Sequence, residues 1–254
     1  MNALVSSLVL SEGGCFRCAL RFSGDVSIQS YLSAQAESYQ NHCSLCLGIL
    51  NPSKLSCAVL EKVSQSGYEH SDYKFQVTLP PIIYLRQEWI YGKCKLSGIS
   101  LDRVIDIKDA FKWVFSPSIG QQINKAFSVN SDFRVNIDFS SPESQTEIDE
   151  FYTQFKCSKK ESLQTIFKSV NSERLVSTFP ILKPFNYEMQ LGVSHGPIYI
   201  YGKYLKLARN ISQTPWNVDG DNEITDSVQD AISRVLTSTF QGSAGILHSS
   251  VIFN

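Results

Sequence analysis

Apolar residues recur at two different periods along this chain, and the periods sort it into helices and strands. Over residues 53–66, Leu55, Ala58, Val59 and Val63 return at helical spacing, and Gly67 supplies a stop. Residues 73–79 alternate instead. Phe75, Val77 and Leu79 fall on one face, Lys74, Gln76 and Thr78 on the other, and Pro80-Pro81 ends this expected strand. Ile107, Ala110, Phe111 and Val114 mark a helix over about 102–115, closed by Ser116-Pro117. A second alternating run, Phe133, Val135, Ile137 and Phe139, turns Arg134, Asn136 and Asp138 outward. Leu163, Ile166, Phe167 and Val170 give another helix. Tyr187, Met189, Leu191 and Val193 alternate again, and His195-Gly196-Pro197 reads as a turn into residues 198–204. These last two runs are expected to pair as a hairpin. Val228, Ala231, Ile232, Val235 and Leu236 form an apolar stripe over 226–240, and residues 1–10 read as a short helix or loop.

Strands mixed with helices, with a hairpin among them, predict an α+β fold rather than a doubly wound parallel sheet. The 254 residues suffice for one large or two modest domains, and 43% hydrophobic with 19% charged residues is ordinary for a globular chain. No apolar run reaches about 18 residues, so no membrane-spanning helix is expected. The N-terminus lacks the basic flank and cleavage site of a signal peptide. A Gly-rich phosphate loop is absent, and no small-molecule cofactor is expected. Glu143, Glu147, Asp149 and Glu150 read as a solvated helix start, and Asp219 and Asp221 as an exposed turn.

A formal net charge of −1 argues against a general nucleic-acid binder. The charge is unevenly spread, however. Between 196 and 216 the charged side chains are Lys203, Lys206 and Arg209, all positive; between 217 and 230 they are Asp219, Asp221, Glu223, Asp226 and Asp230, all negative. Only the first segment suits phosphate, and Tyr199, Tyr201 and Tyr204 interleave with its cations as faces on which unpaired bases can stack. The bland alternative is a solvated strand edge with packed tyrosines.

Seven cysteines without a secretory signal favour a reduced compartment, nucleus or cytoplasm, and metal ligation over a disulfide framework. Cys15-Phe-Arg-Cys18 and Cys43-Ser-Leu-Cys46 are two knuckles separated by 24 residues. Each places two thiolates around one point, and two together complete a closed tetrahedral zinc site with bonds of about 2.3 Å. Buried or redox-active cysteines and an iron–sulfur cluster are the competing readings, and His42 stands beside Cys43 as a spare ligand or a solvated neighbour. Cys57, Cys94 and Cys157 lack paired spacing and read as ordinary thiols.

The run Arg209-Asn-Ile-Ser-Gln-Thr-Pro-Trp216, with Gly196-Pro-Ile-Tyr-Ile-Tyr-Gly-Lys-Tyr-Leu-Lys206 before it, resembles the linker of the archaeal and eukaryotic tRNA pseudouridine(54/55) synthases that carry a THUMP module. Their N-terminal region is also similar to Cys15-Phe-Arg-Cys-Ala-Leu-Arg-Phe22 and Cys43-Ser-Leu-Cys-Leu-Gly-Ile-Leu50. The resemblance implies a structural zinc ion on Cys15, Cys18, Cys43 and Cys46, tRNA as partner, and RNA contacts at Lys203, Lys206, Arg209, Asn210 and Gln213. Trp216 is equally a plug between domains. Two positions depart: Lys203 stands for the family's arginine and Ala208 for its serine, and lysine lacks the bidentate fork for phosphate.

In that family the linker leads to a catalytic aspartate in a Gly-Arg-Glu-Asp-x-Asp-Val-Arg motif, and no such motif occurs in these 254 residues. The likeness fades at Phe240-Gln-Gly242. The resemblance therefore implies three parts: a zinc-binding segment at 1–66, a THUMP-like RNA-binding domain at 67–216, and at 217–254 the start of a catalytic domain ending in a C-terminal helix and a non-matching tail. The chain is expected to be a truncated form, able to bind tRNA and unable to isomerise uridine alone. A zinc-containing interaction scaffold without RNA affinity is the competing class. Self-association is expected through the stripe at 226–240 together with Ile246, Leu247, Val251, Ile252 and Phe253.

Overall fold

The computed structural model describes residues 3–34, 43–51, 55–215 and 227–240. They fall into two compact units, one formed by Met1–Gln65 with His70–Ser194, the other by Ser66–Glu69 with His195–Asn254.

The first unit is built on a four-stranded sheet in the order β2-β1-β3-β4. The strands are β1 (Asp72–Thr78), β2 (Ala126–Phe127), β3 (Arg134–Ser140) and β4 (Glu188–Ser194). β1 runs parallel to both β2 and β3, and β3 runs antiparallel to β4, with Val135 opposite Val193 and Phe139 opposite Met189. This mixed sheet with helices is the α+β fold read from the period-2 runs. Alternation puts Phe75, Val77, Val135, Ile137 and Phe139 on one face, all buried. Against that face lies α6 (Ile107–Ile123), whose Phe111 ring sits 5.7 Å from Phe75, 6.0 Å from Phe139 and 4.3 Å from Phe115. The opposite face carries Gln76, Thr78, Asp138 and Gln190, all exposed.

Four expectations need correction. The helix expected to close at Ser116-Pro117 continues as α6 through Pro117 to Ile123. Ile119 is fully buried beyond the proline, Tyr73 donates its hydroxyl to the Ser116 carbonyl at 2.7 Å, and Asn124 ends the helix in the left-handed region at φ 52°. Pro80-Pro81 does end a strand, but it also begins α5 (Pro81–Leu96), where a proline at the first helical position loses only a donor that would be unpaired anyway. The expected hairpin is absent: among the described residues, 195–204 form no strand, and β4 takes β3 as its partner. Part of the reason is local. Pro197 has no N–H, and Ile198-Tyr-Ile-Tyr201 places four bulky apolar residues in succession, without the alternation that buries one strand face.

The fourth correction concerns Glu147. It is no part of a solvated helix start but lies buried in α7 (Gln145–Phe155), paired with the fully buried Arg86 of α5, whose Nη2 sits 2.9 Å from both carboxylate oxygens. Arg86 also donates to the Lys183 carbonyl at 3.1 Å, while its Nε and Nη1 have no hydrogen-bond partner among the described residues. Burial pushes the Glu147 carboxyl above the usual carboxylate range against the pull of Arg86 and Lys183, and burial lowers Arg86 against Glu147. Desolvation thus outweighs attraction in this pair. Glu143, by contrast, is exposed and accepts from the Asn186 backbone N–H at 3.1 Å.

Removing one partner strands the other charge. Glu147→Ala is expected to lower unfolding free energy by about 3–5 kcal/mol, read by urea denaturation. The double change Arg86→Met with Glu147→Leu is expected to recover most of that loss, since no charge is then left buried.

Candidate metal centre

The N-terminal segment is a set of short helices: α1 (Ala3–Ser11), α2 (Phe16–Phe22) and α3 (Ile28–Ser33), with α4 (Leu55–Ser66) following the second knuckle. α1 rests on α2 through buried Val5 and Val9. Two glycines connect them. Gly13 takes φ +78°, and a Cβ on Gly14 would meet the Val9 carbonyl oxygen at 2.7 Å and Leu45 Cδ1 at 2.9 Å. That closeness lets the second knuckle settle on the turn into the first, where the Ser44 N–H donates to the Gly13 carbonyl at 3.0 Å.

Cys15 then caps α2 in an extended conformation, and Cys18 follows in its first turn. The second knuckle is a tight turn in which the Leu47 N–H donates to the Cys43 carbonyl at 2.8 Å and the Ile49 N–H to the Cys46 carbonyl at 2.9 Å. Leu47 at φ 55° and Gly48 at φ 84° both take the left-handed region to reverse the chain. For a leucine this conformation costs about 1–2 kcal/mol, and burial of its side chain helps to hold it there.

The result is four sulfurs within 4.8 Å of one another, from Cys15, Cys18, Cys43 and Cys46. Sγ–Sγ separations of 3.7 Å join Cys15 to Cys46 and Cys18 to Cys43. A tetrahedron with metal–sulfur bonds of about 2.3 Å has edges of roughly 3.8 Å, which the two 3.7 Å separations match, so the quartet could hold a metal ion. Three of the four residues are buried, Cys15 partly. Backbone N–H groups of Cys15 and Cys46 point at Cys43 Sγ from 3.1 and 3.4 Å. Four thiolate donors would leave no open position, as suits a structural centre rather than a catalytic one.

The four thiols hold their protons unequally. Burial works against ionisation of Cys43, but hydrogen bonds from the other three thiols and the Cys46 N–H bring its thiol well below the usual range. Cys18 goes the other way, pushed well up by its bonds to Cys15, Cys43 and Cys46 and by burial. Cys15 rises as well: the bond with Cys18 draws it down, and those with Cys43 and Cys46, with burial, prevail. So one thiolate forms at the expense of its neighbours. Ionising several at once needs compensating positive charge.

Two buried arginines near the quartet escaped the sequence reading. Arg17 donates from Nε to the Tyr31 carbonyl at 2.9 Å and from Nη1 to the Leu50 carbonyl at 2.6 Å, tying α3 to the end of the second knuckle. Arg21 donates from Nε to the Ile105 carbonyl at 3.0 Å and from Nη2 to Gln87 Oε1 at 2.8 Å. The only signal was their placement inside and just after the first knuckle. Of the remaining thiols, Cys57 is exposed, Cys94 buried and Cys157 half-buried.

The basic segment belongs to the other unit. Lys203, Lys206, Arg209 and Asn210 are exposed, and no ion pair among the described residues involves the three cations. Gln213 is half-buried and donates to the Tyr204 hydroxyl at 2.6 Å, while Tyr199 and Tyr201 are 76% and 93% exposed. The carbonyls of Ser212 and Gln213 accept from the first N–H groups of α10 (Val228–Phe240), and Ser227 and Asp230 form a reciprocal cap on the same turn. His42, Trp216, the acidic residues 219–226 and the apolar tail at 246–253 lie outside the described residues.

Two family models match this chain. A family model described as "Eukaryotic Pus10, N-terminal" matches residues 43–178, and one described as "Pus10, C-terminal" matches residues 199–251. The human "tRNA pseudouridine synthase Pus10" is 29% identical, covering 86% of this chain and 46% of that protein. The Xenopus laevis protein of the same name is 26% identical over 97% of this chain and 62% of its own length, and that of Mus musculus 28% identical over 82% and 44%. The chain thus spans about half the length of the curated relatives it matches. With more than half of its residues under the N-terminal family model, the chain belongs to the Pus10 family.

Proposed function

We propose that this chain serves tRNA pseudouridine synthesis as an RNA-gripping portion of such an enzyme, folded around a structural zinc ion. The observation that carries the reading is the ordered match of an N-terminal and a C-terminal Pus10 model on one chain, with the second beginning at residue 199 beside the exposed cations. Relatives named tRNA pseudouridine synthases supply tRNA as the partner. Lys203, Lys206 and Arg209 supply phosphate contacts, with Asn210 and Gln213 alongside, and the mixed sheet serves as a THUMP-type platform. Uridine isomerisation needs an aspartate placed at a flipped-out base, and the Gly-Arg-Glu-Asp motif that would provide it is absent from these 254 residues. Turnover on a tRNA transcript by this polypeptide alone is expected to be nil.

Four thiol donors in a small closed site suit a structural zinc ion, and elemental analysis separates zinc from iron, which the same donors would also accept. All seven cysteines are free, which suits a reducing nuclear or cytoplasmic setting. A second reading, self-association, draws on exposed apolar side chains: Leu205 and Leu207 are 86% and 92% exposed, and α10 leaves Val235 62% exposed. A sedimentation coefficient that stays constant across a hundredfold range of concentration would exclude it.

Two outcomes test the main reading. Affinity for tRNA is expected to fall as salt rises, and Lys203→Ala or Arg209→Ala each to weaken it and flatten the slope of log K against log[salt] by about 1. Binding indifferent to those changes would favour a scaffold without RNA affinity. Elemental analysis is expected to find one zinc per chain, lost in Cys18→Ser. Because every ligand must shed its proton, and those of Cys15 and Cys18 are held tightly without metal, zinc affinity is expected to fall steadily on acidification, as read by chelator competition.

A further inference from the structure

We infer that Arg21 is the charge partner of the metal–thiolate centre, a buried cation that offsets the centre's excess negative charge. The inference rests on reading the quartet as a metal site. A divalent ion held by four thiolates carries two negative charges in excess. Here that excess is buried, since Cys18, Cys43 and Cys46 are 0–3% exposed. Neutral N–H donors at Cys43 Sγ soften the excess without cancelling it. Low-dielectric surroundings make an uncancelled charge expensive, so a cation is called for nearby.

Arg21 is placed to meet that need. It follows Cys18 by three residues on α2, so the two side chains are neighbours on one helix face. It is 1% exposed. Its guanidinium bonds only to neutral acceptors, the Ile105 carbonyl and Gln87 Oε1, and none of the ion pairs among the described residues includes it. A guanidinium cannot discard its proton to escape this environment. Arg86 shows the ordinary solution in the same unit, a carboxylate directly against the guanidinium. No ion pair among the described residues gives Arg21 such a carboxylate, and the quartet's Cys18 lies three residues before it on the same helix.

The test uses the full chain and its apparent zinc affinity, measured against a chromophoric chelator at constant pH. Arg21→Gln is expected to weaken zinc binding by about 10–100-fold, the usual size of an outer-shell loss at a metal site. Arg21→Lys, which keeps the charge and loses the fork, is expected to stay near the parent. Gln87→Glu is the decisive variant. It keeps the acceptor at Nη2 and neutralises the guanidinium in place, so a purely structural arginine would gain a better partner and hold zinc as before. The charge role instead requires weaker zinc binding in Gln87→Glu, even where Arg21→Gln fails to fold. Unchanged affinity in Gln87→Glu, or equal losses in Arg21→Lys and Arg21→Gln, would overturn the inference while leaving the metal site intact. A parent chain that takes up no zinc would overturn the metal reading, and this inference with it.

Discussion

The convergence of four sulfurs is the constraint on which the N-terminal half depends. Helices of six to nine residues, as α1, α2 and α3 are, have no independent stability in water. They are ordered by what they touch. The two knuckles close a loop of 24 residues, and the entropy lost in that closure must be offset by contacts at its ends. Those contacts are dense: Ser44 on Gly13, Cys15 on Cys43, and Arg17 reaching both Tyr31 and Leu50. From there the order passes inward. Arg21 and Ile105 are bonded both ways, side chain to carbonyl and N–H to carbonyl, immediately before α6, and α6 is the helix that covers the sheet. A metal in the quartet would thus brace the path from the first turn of the chain to Phe111 in the core.

The same unit handles its buried arginines in three ways. Arg17 is satisfied by carbonyl oxygens, Arg86 by a carboxylate, and Arg21 by a carbonyl, an amide oxygen and a nearby ring, Phe22 at 5.3 Å. Hydrogen bonds satisfy geometry in all three, and at Arg86 a carboxylate also offsets the charge. Arg86 also shows the limit of that solution, with Nε and Nη1 unpaired among the described residues and Glu147 held partly against its ionisation by burial. Ion pairs of this kind fix which helices meet, α5 with α7, more than they add to stability.

Much of this was legible because the relevant signals are local. Gly67 closing α4, the alternation in β1, β3 and β4, and each of the two Cys-x-x-Cys knuckles depend on residues a few positions apart, and the structure keeps each. What was not legible depends on partners far away in sequence. Glu147 resembles its exposed neighbours Glu143 and Glu150 until Arg86, sixty-one residues earlier, is known to lie beside it. α5 escaped because it is buried on several sides: Ile82, Ile83, Leu85, Arg86, Trp89, Ile90, Gly92 and Cys94 blur any single stripe. Gly92 is the extreme case. A Cβ there would lie 2.2 Å from the Ser172 carbonyl oxygen, so the glycine lets α5 approach α9 (Ser172–Thr178), a packing role invisible in a list of helix propensities.

Residues 198–207 show the same limit from the other side. Their isoleucines, tyrosines and leucines announce a need for burial, and a strand was the natural way to meet it. A strand, however, requires a second chain segment to accept its hydrogen bonds, and periodicity says nothing of whether one is at hand. β4 already faces β3, and among the described residues no strand pairs with 198–207. The matched C-terminal family model opens within this stretch, at residue 199, in relatives about twice as long. The apolar character of the stretch is therefore a feature of that C-terminal region, while its cations, exposed at Lys203, Lys206 and Arg209, need no burial and keep their chemistry wherever the chain lies.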